Sequence, residues 1–171
     1  MTPAAGRPPA LADGERLAET RERFLTAEPV DPNRVRDTIL ASWWRSRRWN
    51  VAADRIDLTF LGDPDLDTPL TRSALPVLQH LREHLEGQPI SVILTDAAGI
   101  VLTRLVADHD LDRHLDSVKL APGFSYSEES VGTNGIGTAL EGGRPMHVFG
   151  HEHYAENLED LACAGVPIRH P

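Results

Sequence analysis

The apolar residues of this chain change period near residue 90, and that change limits the folds open to it more than any other feature. Over residues 70–86 they fall at Ala74, Val77, Leu78, Leu81 and Leu85, the spacing of one helical face, and Gly87 follows as a natural stop. Pro76 inside this stretch predicts a kink or a second helix start. Residues 90–95 (ISVILT) and 100–106 (IVLTRLV) are instead short β-rich runs, joined by the turn Asp96-Ala97-Ala98-Gly99. Beyond the hairpin the signals alternate. A polar helix is predicted over 110–117, a loop over 119–127, a short helix within 130–140, a strand over 145–149, a helix over 151–160 and a strand over 162–168. A hairpin opening such a mixed pattern predicts an α+β fold with an antiparallel sheet flanked by helices, not a doubly wound parallel sheet.

The N-terminal third has a different character. Residues 1–14 carry Pro3, Gly6, Pro8 and Pro9 and read as a disordered tail. A short helix over 15–28 would use Leu17, Phe24 and Leu25, with Pro29 and Pro32 as punctuation. Asp31-Pro32 has the form of a helix start, a cap followed by proline at the first helical position. Val35, Ile39 and Trp43 then recur every four residues on one face. The Asp-rich stretch 50–68, with Gly62-Asp63-Pro64 and Asp67-Thr68-Pro69, reads as a linker. The organisation expected is therefore a tail (1–14), a helical segment with linker (15–68) and a main domain (69–171).

Charge and cysteine content exclude several classes. The formal net charge of −9 makes the whole molecule a poor nucleic-acid binder. Cys163 is the one cysteine, so neither an intramolecular disulfide nor a CxxC site is possible, and a single thiol suits a reducing cytoplasm. No apolar run approaches the length of a membrane span and no secretory h-region opens the chain, which makes the cytoplasm the expected compartment with no membrane partner.

Four constellations could carry chemistry. The densest is PGFSYSEESVGTNGIGTAL at 122–140, with Glu128, Glu129, Ser127, Ser130, Thr133, Asn134 and three close glycines. Its glycine spacing is not GxGxxG and no P-loop lysine follows, so the readings left are a tight helix start capped by Thr133 or Ser130 and a pocket-lining loop. The second is MHVFGHEHY at 146–154. HEH is not HExxH, and Gly150 interrupts the four-residue spacing from His147 to His151, so a polar helix start is the plainer reading than metal or haem ligation. The third is SWWRSRRW at 42–49, either a helix end that packs its tryptophans and turns Arg toward an acidic body, or a stacking surface for single-stranded nucleic acid. The fourth is Cys163 in an apolar strand context, read as a buried thiol before a nucleophile. Asp96 and Asp108 read as turn residues.

Taken in order, these segments resemble a known family. SWWRS at 42–46, ILTDAAGIVL at 93–102, the 122–140 segment, GHEHY at 150–154 and ACAGVPIRHP at 162–171 are similar to the SWxRS, LTDxxGxVL, PGxxWSExxxGTNAIGTAL, GxEHF and CxxxPIxDP elements of acetoin-catabolism-type bacterial transcription activators. Tyr126 replaces the family's Trp, Gly135 its Ala and His170 its Asp. The resemblance implies a GAF-type sensor domain behind a helical segment. It implies a small-molecule effector, a homodimer and no catalysis. DNA would be met only through an output domain, of the sigma-54 ATPase kind, whose Walker A loop does not occur in this sequence. On the same ground the closing strands of a GAF sheet are expected to be missing. Carried over by motif position, the candidate ligand-binding residues are Tyr126, Glu128, Thr133, Asn134, His151, His153 and Cys163. No cofactor is named. The rivals are a haem or metal sensor on His147, His151 and His153, an enzyme using Cys163 or the Glu128/Glu129 pair, and an oligomerisation module without ligand.

Overall fold

The computed structural model describes residues 11–169, with side chains from residue 14. Ten regular elements follow one another: α1 (Leu11–Leu25), α2 (Asp37–Arg48), α3 (Pro69–His84), β1 (Ser91–Thr95), β2 (Val101–Val106), α4 (His109–Ser117), α5 (Glu128–Val131), α6 (Gly135–Gly142), β3 (Met146–Phe149) and β4 (Ala162–Gly165). Three 3₁₀ turns, Pro32–Arg34, Gly150–Glu152 and Glu156–Leu158, complete the list for the described residues. Both sheets are antiparallel and two-stranded, β1 with β2 and β3 with β4. The fold is thus mixed α+β, as the period change predicts, but the single sheet expected is two separate two-stranded sheets, since β3 and β4 pair with each other and not with the first hairpin.

The chain divides into two compact units that are not contiguous in sequence. One comprises everything up to Ile56 together with Ser127 onward; the other runs from Asp57 to Tyr126.

In the first unit α1 buries Leu17, Thr20, Arg21 and Phe24, an i, i+3, i+4, i+7 face. The predicted stripe Val35, Ile39, Trp43 is buried too, and these residues form one core with Phe24, Ala139, Met146, Val148 and Tyr154. β3 pairs with β4 in the register His147↔Ala164 and Val148↔Cys163. In the second unit Leu94, Val101, Leu102, Leu115 and Leu120 are buried around the β1–β2 hairpin and α4. The hairpin turns on Asp96, whose carboxylate accepts from the Ala98 and Ile100 N–H groups at 2.9 and 2.8 Å. Asp108 caps α4 by accepting from Leu111 N at 2.7 Å.

Several boundaries differ from expectation. α1 begins at Leu11 and not at Glu15. Its buried face carries the helix through Gly14, around which nothing is packed. Residues 1–10 of the expected tail, like His170 and Pro171, lie outside the described residues. Asp31 does cap a helical start, accepting from Asn33 N at 3.0 Å, but of the 3₁₀ turn, and α2 begins only at Asp37. α3 runs unbroken through Pro76, and of its predicted stripe Val77 and Leu81 are exposed.

The helix expected within 130–140 is two helices. Gly132 stands between them at φ +77, and a Cβ there would come within 2.6 Å of the Tyr154 Cβ. Their caps are Ser127 and Asn134, not Ser130 or Thr133. Nor is 151–160 an α-helix. The carbonyls of His153 and Tyr154 accept from the Arg21 side chain instead of from a following turn.

Candidate functional site

Glu128 opens α5 and is buried, at 3% exposure. A carboxylate removed from water must be paired and hydrogen-bonded. Arg45 supplies a two-pronged contact from α2, Nε to Oε2 at 2.5 Å and Nη2 to Oε1 at 2.9 Å. Thr138 Oγ1 donates to Oε1 at 2.9 Å, and Ser42 Oγ donates to the same oxygen. Ser42 has spent its one proton, so the 2.6 Å contact between Ser42 Oγ and Thr133 Oγ1 has Thr133 as donor. Oε1 thus takes three donors and Oε2 one, all from within the protein. The guanidinium pK of Arg45 is raised, first by its hydrogen bond to Glu128.

Asn134 is occupied as well. Its Oδ1 accepts from Ile136 N and Gly137 N, both at 2.9 Å, and its Nδ2 donates to the Gly132 carbonyl at 2.8 Å. This is the N-cap of α6. The glycines serve packing in the same way. A Cβ on Gly137 would collide with the Glu128 backbone nitrogen, so α5 and α6 touch only because that position is bare. The polar, glycine-rich segment is therefore a joint between short helices, and SWWRS provides its other half through Ser42, Arg45 and Ser46, whose hydroxyl donates to the Ser42 carbonyl at 2.9 Å.

Two further arginines of the N-terminal helical segment repeat the pattern. Arg36 grips Glu152, Nε to Oε1 at 2.7 Å and Nη2 to Oε2 at 2.5 Å, and reaches the His147 carbonyl at 2.6 Å. Glu152 Oε2 also accepts from Phe149 N at 2.9 Å, and Trp43 Nε1 donates to the Glu152 carbonyl at 2.8 Å. Arg21, itself buried, donates to the His153 and Tyr154 carbonyls at 3.0 and 2.7 Å and pairs with Glu159 at 2.9 Å. Burial lowers the Arg21 pK, and Glu159 opposes that shift. Sequence reasoning missed Arg21, Arg36, Arg45, Ser42 and Glu152. The available signal was the co-occurrence of SWWRS with a glutamate in an otherwise apolar and hydroxylic segment.

The histidines differ from one another. His147 lies on β3 with its ring edge-on to Phe149 at 5.8 Å. His151 is half-buried, Nδ1 3.3 Å from Glu159 Oε2. His153 is completely buried. Its Nδ1 lies 2.9 Å from the Gly150 carbonyl, which can only accept, so the ring proton is on Nδ1. Its Nε2, buried too, has no hydrogen-bond partner. Burial first, and then the nearby Arg21 charge, bring its pK down to about 4 against the opposing pull of the Gly150 bond, so the ring is neutral at pH 7 and Nε2 presents a bare lone pair. Cys163 on β4 is half-buried and not fully buried as expected; its surroundings still push its thiol up to about 11, so it is no thiolate at neutral pH. Glu129 is exposed while Glu128 is buried, so the two form no acid pair. Among the described residues no three His, Cys, Asp or Glu side chains converge as a metal set. Tyr126 ends the other unit, with its ring buried and its hydroxyl donating to the Val118 carbonyl at 2.6 Å. A depression of about 130 Å³ lined by Glu19, Thr20, Arg23, Val30, Asp31 and Arg34 contains none of the seven candidates and falls below the roughly 300 Å³ usual for ligand pockets.

Comparison with known proteins places this arrangement. Residues 12–171 match the family described as MimR, N-terminal domain. The chain belongs to that family. Over 151 residues it is 54% identical to the propane 2-monooxygenase operon transcriptional activator MimR of Mycolicibacterium goodii, and 52% to that of Mycolicibacterium smegmatis. Each match takes in 88% of this chain and 26% of the relative, so the chain spans about a quarter of the length of those activators. The acetoin dehydrogenase operon activator AcoR of Bacillus subtilis is 28% identical over 89% of the chain and 26% of its own length. Among solved structures, one from the E. coli DhaR(N)–DhaL complex superposes with a TM-score of 0.67 at 16% identity, over 78% of this chain and 47% of that one. At that identity the likeness concerns the fold alone. Membership in the MimR N-terminal family makes this the N-terminal domain of proteins whose full-length relatives are named transcriptional activators. No helix among the described residues is long and apolar enough to cross a membrane.

Proposed function

We propose that the chain is the signal-sensing module, of GAF type, of a cytoplasmic MimR- and AcoR-like activator of the sigma-54-dependent class. It takes a small-molecule effector, self-associates as a homodimer and acts on DNA only through an output domain outside this sequence. The observation that carries the effector reading is His153 Nε2, a buried, neutral, unpartnered acceptor among candidates whose polar groups are otherwise engaged. An orphaned acceptor of this kind calls for a donor. The matching effector is a small neutral molecule with a hydroxyl group, since a ketone cannot donate to a lone pair. The relatives' names connect them to a propane 2-monooxygenase operon, which makes three-carbon alcohols the first probes. Binding would shift the population of two conformers of the domain and so reach the output domain.

Thermal melting of the chain against 2-propanol, with acetone as the non-donating control, tests this. The expected result is a melting temperature that rises saturably with the alcohol and not with the ketone, and that no longer does so in His153→Leu. Equal response to both probes, or an alcohol response surviving in His153→Leu, would refute the role given to Nε2.

A further inference from the structure

SWWRSRRW divides by helical phase. Ser42, Trp43 and Ser46 face inward and Arg45 is taken by Glu128. Trp44, Arg48 and Trp49 are not absorbed by that network. Trp44 is 53% exposed and Trp49 36%. Arg47 lies over the Phe24 ring at 4.0 Å and the Trp44 ring at 5.2 Å, and Trp44 meets Phe24 edge-on at 4.9 Å. Arg47 is half-buried and hydrogen-bonds the Tyr154 side chain, whereas Arg48 is exposed. The result is an exposed patch of Trp44, Arg48 and Trp49 on a chain of net charge −9. Exposed Trp with Arg is the composition of interface anchors, not of an ordinary solvated face.

The same chain displays a complementary surface. The stretch before α3 has neither helix nor strand, and in it Phe60 and Leu61 are 50% and 58% exposed beside Asp63 and Asp65, which are exposed as well. Leu61 N donates to the Gly123 carbonyl at 2.9 Å, which anchors the stretch within its own unit. Trp44, Phe60 and Leu61 all stay about half-exposed in the single chain, so apolar and charged partners are available to another molecule. We infer that the Trp44–Arg48 surface of one copy docks the Phe60–Asp65 segment of a second copy, reciprocally, so that two such contacts close a twofold dimer. This rests on the self-association proposed above and names its surface. A nucleic-acid strand is the less fitting occupant, because the exposed Arg48 stands against a strongly acidic whole.

Sedimentation of the chain at low and high salt tests the pairing, with Arg48→Glu and with Asp63→Arg/Asp65→Arg, all at exposed positions. Each variant alone is expected to weaken dimerisation by about tenfold or more. Mixing the two variants is expected to restore it, because in the mixed dimer one contact has its charges exchanged and the other is native. A loss of fold would not be rescued by mixing. A dimer indifferent to both changes overturns the surface and leaves self-association standing; a monomer at every concentration overturns both. Quenching of Trp fluorescence by an oligo-dT strand that disappears in Arg48→Glu, with dimerisation unchanged, assigns the surface to nucleic acid and overturns the proposal.

Discussion

The surroundings of Glu128 and of His153 are equally buried and lie in the same compact unit, yet they behave oppositely. Glu128 is met by Ser42, Arg45 and Thr138, three donors on Oε1 and one on Oε2. His153 has one nitrogen anchored on Gly150 and the other without a partner. Density of polar residues in the sequence therefore marks the joint, while the group with binding capacity to spare sits in a less conspicuous motif. A paired network fixes where helices meet; an unpaired buried group costs stability and is available for recognition.

The sharpest way to break this contrast is to empty the joint. Glu128→Ala leaves the Arg45 charge and two buried hydroxyls without their acceptor, and is expected to cost about 3–5 kcal/mol in denaturant unfolding. A loss under 1 kcal/mol would mean that the network holds nothing together. The imidazole comes next. The unfolded chain takes up a proton near pH 6.5 but the folded His153 only near 4. Its contribution is complete above pH 6.5 and is lost as pH falls toward 4, about 3 kcal/mol in all. His153→Leu should remove that part of the pH slope of stability, and an unchanged slope would show that His153 is not buried neutral.

Packing at the joint supplies a smaller effect. Gly137→Ala places a methyl group against the Glu128 backbone and is expected to cost about 1–3 kcal/mol. Asn134→Ala removes the cap of α6 for about 1 kcal/mol; a larger loss that vanishes in the presence of an effector would move Asn134 to the ligand side of the contrast. The smallest effect belongs to Cys163. With its thiol pushed up to about 11, alkylation by iodoacetamide at pH 7 should be slow and should accelerate on unfolding, and rapid labelling of the native protein would disprove the raised thiol assigned to it.

Local chemistry alone determined much of this protein. The period change at residue 90 foretold the hairpin, Asp96 its turn, and the four-residue recurrence of Val35, Ile39 and Trp43 the buried face of the N-terminal segment. These features act within a few residues, so spacing suffices to read them. The motifs that resemble the activator family were legible for the same reason, and membership followed from them. Which groups would be spent and which left over was decided only by tertiary structure. Ser42 and Arg45 are more than 80 residues from Glu128, Arg36 stands 116 from Glu152, and Arg21 reaches the carbonyls of His153 and Tyr154 across more than 130. Whether a polar residue caps, clamps or waits for a ligand depends on the partners that folding brings within 3 Å, and no periodicity along the chain records that distance.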